Sequence, residues 1–141
     1  MKNPINNSMK EISLTVAGCV TALFLTTPAF GHHSFSAQYD SEKVVNLNGT
    51  VTKIEWQNPH VYIFVDVMDA KGEYQEWSLE MGAPAVLTRT LGWTRSTLKI
   101  DDQINVEGRA ARDGSNLANA RTVTLASGEK LGAGSSQNVT P

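Results

Sequence analysis

The stretch His60-Val61-Tyr62-Ile63-Phe64-Val65-Asp66-Val67-Met68 alternates strictly along its whole length. Successive side chains of a strand point to opposite faces. A period of two therefore sets Val61, Ile63, Val65 and Val67 on one side and His60, Tyr62, Phe64 and Asp66 on the other. All four residues of the first set are β-branched, the type that suits a pleated, half-buried surface. A sheet with one buried face is the architecture this pattern demands, and the rest of the chain must supply its partners.

Partners follow on both sides. Residues 46–56 (Asn-Leu-Asn-Gly-Thr-Val-Thr-Lys-Ile-Glu-Trp) alternate, with Ile54 and Trp56 on one face, until Asn58-Pro59 breaks the run. Ala70-Lys71-Gly72 reads as a hairpin turn, and 74–81 returns as a third strand with Trp77, Leu79 and Met81 toward the core. Gly82-Ala83-Pro84 opens a short helix that Gly92 ends. A fourth strand over 103–111 turns Ile104, Val106 and Gly108 inward. Asp113-Gly114-Ser115 marks a turn, and a fifth strand over 121–126 buries Val123 and Leu125.

Three strands, a helix, then two strands is the order of a small five-stranded OB-like Greek-key barrel, an all-β fold with one short helix between strands 3 and 4. Gly49 and Gly108 suit the coiling that closes such barrels. The competing architecture is an open antiparallel sheet with the helix packed on it. The expected organisation is a leader over 1–31, an N-terminal arm over 32–45, the barrel domain over 46–131 and a flexible, Gly/Ser-rich tail over 132–141.

The leader reads as a cleavable export signal. Lys2 and Lys10 supply positive charge, although Glu11 weakens the pattern. The apolar run over 12–25 is too short for an ordinary spanning helix, and Ala29 and Gly31 satisfy the small-residue rule for cleavage. Met9-Lys10 is an alternative start. Two other cuts compete with the one after Gly31. Val16-Ala17-Gly18-Cys19 resembles a lipoprotein box, but the chain stays apolar beyond Cys19, where such proteins turn polar. Cutting after Ala29 leaves Phe30-Gly31-His32. The expected location is periplasmic, with no membrane span after cleavage.

Cys19 is the only cysteine, so the mature chain has no disulfide and its core must carry the stability. The full chain has 12 Lys+Arg against 14 Asp+Glu, and removing Lys2, Lys10 and Glu11 with the leader leaves 10 against 13. With no basic stripe, nucleic-acid binding lacks its main source of affinity.

Cleavage after Gly31 makes His32 the first residue and His33 the second. A free amine and imidazoles so close together form a compact nitrogen donor set for copper or another transition metal. The third and last histidine, His60, lies just past the first strand. Residues 33 to 46 extend up to about 46 Å, against about 33 Å for a ten-residue strand, so the arm is long enough to double back toward His60. The candidate metal ligands are therefore His32, His33 and His60.

A second candidate is a ligand-binding face built from Trp56, Asn58, Tyr62 and Phe64, since OB-folds use the face of strands 2 and 3. The same aromatic face can instead be covered by Phe35 or Tyr39 of the arm. Glu80 reads as an exposed strand glutamate, with a carboxylate ligand as the alternative. Arg89 and Arg95 read as solvated helix-end charges. No Gly-x-Ser-x-Gly, His-Glu-x-x-His, Cys-x-x-Cys or phosphate loop occurs, and Ser34 beside His33 lacks an orienting third group, so the residues favour a binding protein over an enzyme.

His32-His33-Ser34-Phe35, Glu55-Trp56-Gln57-Asn58-Pro59-His60, Leu91-Gly92-Trp93-Thr94 and Val106-Glu107-Gly108 with Asp113-Gly114-Ser115 resemble a family of small secreted bacterial proteins of unknown function. The resemblance spans nearly the entire mature chain. This sequence has Ile100-Asp101-Asp102 where such proteins often carry Pro-Gly-Asp, a difference confined to a turn. The resemblance implies a periplasmic location and an OB-like barrel, and it implies no established activity. The expectation is a periplasmic protein that binds copper or another transition metal. The alternative is a module that binds a protein or small ligand without metal.

Overall fold

The alternating stretch forms strand β2 (Tyr62–Met68), and its Val61 side of the pleat is the interior: Val61, Ile63 and Val65 are buried, while Val67 is partly so. A computed structural model describes residues 35–134. The other elements are α1 (Phe35–Gln38), β1 (Tyr39–Glu55), β3 (Tyr74–Glu80), α2 (Pro84–Thr90), β4 (Gln103–Ala111), β5 (Leu117–Thr124) and β6 (Lys130–Gly132). The fold is all-β, mostly antiparallel. The expected leader, His32, His33 and residues 135–141 of the tail lie outside the described residues.

The strands pair in the order β3-β2-β1-β4-β5-β6, and a further parallel pairing joins β3 to β5. Its register sets Ser78 beside Leu117, Leu79 beside Ala118 and Glu80 beside Asn119. The series β3-β2-β1-β4-β5 thus meets itself at its two ends. Trp93, Leu87, Leu98 and Met81 pack with the inward residues of β1, β2, β4 and β5 into one hydrophobic cluster. Trp56 and Trp77 lie half-buried against it.

Two glycines allow the strands to approach. A side chain at Gly49 would put its Cβ 2.8 Å from the Asp66 carbonyl, and one at Gly108 would lie 2.7 Å from the Asn119 carbonyl. The pairing of β4 with β5 shifts register between Glu107 and Gly108, where the extra residue sharpens the bend. Asp69 braces the β2–β3 hairpin by accepting from the amides of Lys71 (2.8 Å) and Glu73 (2.9 Å). Pro84 stands in the first turn of α2, and Gly92 follows it at φ 77°.

Three boundaries differ from the sequence reading. Strand β1 begins at Tyr39, inside the expected arm, because four residues after Tyr39 bulge out and pairing with β4 resumes at Val44. Strand β5 begins at Leu117 rather than 121, since Ala118, Asn119 and Ala120 fill the seam with β3 and β4. There are six strands among the described residues, not five. Lys130–Gly132 pairs with β5, the Trp93 indole donates to the Gly132 carbonyl at 2.7 Å, and Ala133 is fully buried. The ordered chain thus extends into the expected tail. Among the described residues no helix is long and apolar enough to cross a membrane.

Ile63 is 1 % exposed at the centre of this arrangement. Ile63→Ala is expected to lower unfolding free energy by about 2–5 kcal/mol in chemical denaturation, from lost apolar burial plus the cavity. A loss below about half a kilocalorie would place the core on the other face.

Candidate functional site

The antiparallel register of β2 and β3 sets Tyr62 directly opposite Glu80, the last residue of β3. The expected exposed glutamate is not exposed. Glu80 is 6 % accessible, because β3 is flanked by β2 on one side and β5 on the other and the start of β1 lies over its end. Burying a carboxylate is costly unless its oxygens are given donors, and three donors meet here. The Tyr39 hydroxyl donates to Glu80 Oε2 at 2.5 Å, and the Tyr62 hydroxyl donates to the same oxygen at 3.0 Å. The other oxygen, Oε1, lies 2.8 Å from His60 Nδ1. Asn119, in register with Glu80 on β5, is 1 % exposed, and its Oδ1 has no donor.

Tyr39 reaches this carboxylate because the chain ahead of it is tied down. The Phe35 ring lies 5.3 Å from that of Tyr39, centroid to centroid. Arg112 holds α1 from outside: its Nε donates to the Ser36 carbonyl at 2.8 Å and its backbone amide to the Gln38 carbonyl at 3.0 Å. The arm aromatic named as a cover for the strand-2 face does lie there, linked to Tyr62 through the shared oxygen.

The remaining predicted residues separate. Trp56 packs on the core side, its ring 5.9 Å from the Arg95 guanidinium carbon. Asn58 is exposed in the loop before β2, next to the cis Asn58–Pro59 bond. Phe64 is half-buried beneath the Lys53 ammonium, 4.9 Å from the ring centre. Among the described residues, His60 and Tyr62 are the two predicted site residues that converge on one group. Among the described residues no group of three or more His, Cys, Asp or Glu side chains is arranged to hold a metal ion. The sequence reading kept Tyr39 as a cover for the aromatic face and Glu80 as an exposed glutamate with a carboxylate ligand as the alternative, so neither stood among its site residues. The available signal was a carboxylate between Leu79 and Met81, in a strand that pairs with the one that carries Tyr62 and follows His60.

The sequence matches a family described as a family of unknown function (DUF6152) over residues 19–120, more than half of the chain. No curated protein and no solved structure matches it.

The buried Tyr39 hydroxyl and the half-buried Tyr62 hydroxyl both resist ionisation. Burial pushes Tyr62 up to about 12, helped by the negative charge of Glu80 and the hydrogen bond to it. Burial raises Tyr39 further still, and the hydrogen bond to Glu80 adds to it. In the unfolded chain both titrate near 10, so the unfolded state loses these protons first. Their contribution to stability is full below pH 10 and declines as pH rises from there through about 12. Tyrosinate absorbance of native protein should accordingly show Tyr39 and Tyr62 still protonated above pH 10. Tyr62→Phe should remove the step near 12. Native protein in which Tyr39 and Tyr62 ionise near pH 10 would contradict this arrangement.

Proposed function

The chain belongs to the DUF6152 family of unknown function, and from that premise we propose that it is an exported, periplasmic binding protein that takes copper, or another transition metal, at its processed N-terminus. The proposed ligands are the α-amine, His32, His33 and His60. The scaffold we propose is an OB-like barrel: the β3–β5 pairing and a helix between β3 and β4 favour it over the open sheet.

The observation that carries the reading is the shared carboxylate. Glu80 holds the His60 ring through Oε1 and, through Oε2, the tyrosine at which the arm joins the sheet. Phe35, where the described chain begins, stacks on that tyrosine. His33 is two residues upstream of Phe35, a covalent leash of about 7 Å. Histidine nitrogens near a chain terminus suit Cu(II), which heads the divalent series for such donors. The alternative, a non-metal ligand on Trp56, Asn58, Tyr62 and Phe64, has less support. Trp56 packs on the opposite side from Tyr62 and Phe64, and the Tyr62 hydroxyl is already bonded.

The test has two stages. Intact mass of the exported protein should match a chain beginning at His32; a species lipidated at Cys19 would contradict the processing. Cu(II) titration should then show binding through nitrogen ligands that selective acetylation of the α-amine impairs, because acetylation removes a donor without moving either ring. Unchanged Cu(II) spectra after acetylation and after replacement of both His32 and His33 would remove the metal function.

A further inference from the structure

A carboxylate can only accept a hydrogen bond, so the nitrogen that meets Glu80 Oε1 must carry the proton. That nitrogen is Nδ1 of His60. In a neutral imidazole the second nitrogen is then bare. Among the described residues nothing is bonded to Nε2, and the ring is 36 % accessible, in contrast to the carboxylate behind it. The lone pair of Nε2 is thus left for a group from outside the sheet.

We infer that Glu80 is a positioning residue that fixes His60 as the Nδ1–H tautomer and commits Nε2 as the atom that coordinates a transition-metal ion. This rests on the metal-binding reading and adds to it the coordinating atom and the residue that orients it. A histidine ligand that donates its other N–H to a carboxylate gains basicity and loses rotational freedom, the usual outer-shell arrangement around metal-bound imidazole. Glu80 is suited to the task because it cannot swing away: its backbone is paired in register with both Tyr62 and Asn119, and its second oxygen is held by two hydroxyls. The two tyrosines donate to the carboxylate, so Glu80 is oriented without their competing for the His60 ring.

The tautomer can be read without metal. Nitrogen-15 NMR of the full exported protein, metal-free, should show His60 protonated at Nδ1 and bare at Nε2. Zn(II), a diamagnetic probe, should then shift the Nε2 resonance and leave the Nδ1 proton in place. Cu(II) affinity should fall about 10–100-fold in Glu80→Gln, the usual effect of removing an outer-shell partner, and His60→Ala should lose at least as much. An Nε2–H tautomer in the metal-free protein, or a metal-induced shift at Nδ1, would overturn the positioning role even if copper binds. The expected tautomer with unaltered Cu(II) affinity in both variants would overturn it too, leaving a terminal chelate that ignores the sheet. Absence of Cu(II) and Zn(II) binding by the unaltered protein would remove the metal reading itself, and this inference with it. The wild-type tautomer needs no variant, so a Glu80→Gln protein that fails to fold still leaves the claim decided.

Discussion

A carboxylate taken out of water loses several kilocalories of hydration per mole, and it stays charged inside a protein only where donors replace that water. Glu80 meets this requirement with three groups drawn from three parts of the chain: Tyr39 at the start of β1, His60 in the loop before β2, and Tyr62 on β2 itself. Loss of any one would leave a buried acceptor short of a partner, which costs more than a hydrogen bond is worth when both partners are absent. Burial, aided by this charge and its hydrogen bonds, keeps the two hydroxyls protonated, and the carboxylate sets the orientation of the histidine. Arm, loop and strand are thereby joined at one point.

That point exists because β3 pairs with β5. Were β3 an edge strand, the Glu80 carboxylate would face water and need no donors. The parallel seam over Ser78–Glu80 brings Leu117 to Asn119 alongside and buries the end of β3. The seam in turn depends on close approach between β4 and β5, where Gly108 has no room for a Cβ against the Asn119 carbonyl. A chain of cause thus runs from a glycine in β4, through the position of Asn119, to the burial of Glu80.

Much of the sheet was legible in the sequence, because alternation is a local property. The inward set of Val61, Ile63 and Val65, the turn at Gly72, the helix opened by Pro84 and the bounds of β4 all follow from neighbours in the text. What was not legible depends on distant pairing. Lys130–Gly132 is too short and too glycine-rich to read as a strand, and it becomes one because β5 supplies hydrogen bonds and Trp93 supplies a donor. Tyr39 looked like an arm residue because the bulge after it breaks the alternation. Glu80 looked exposed because its side of β3 is polar in text (Glu76, Ser78), and only the β5 seam and the arm cover it. His60 and Tyr62 were visible as candidates, but the group that joins them was not.

The central claim is that Glu80 couples the arm to the β2–β3 face. A double-mutant cycle measures that coupling directly, with Tyr39→Phe, Glu80→Met and the pair compared by chemical denaturation. Tyr39→Phe leaves Glu80 Oε2 with one donor instead of two, and Glu80→Met leaves the buried Tyr39 hydroxyl without its acceptor, whereas the double removes both ends of the bond. The account predicts that the pair costs less than the sum of the singles, by at least about 1 kcal/mol. Additivity within about 0.5 kcal/mol would contradict it, showing that the two residues are held in place independently.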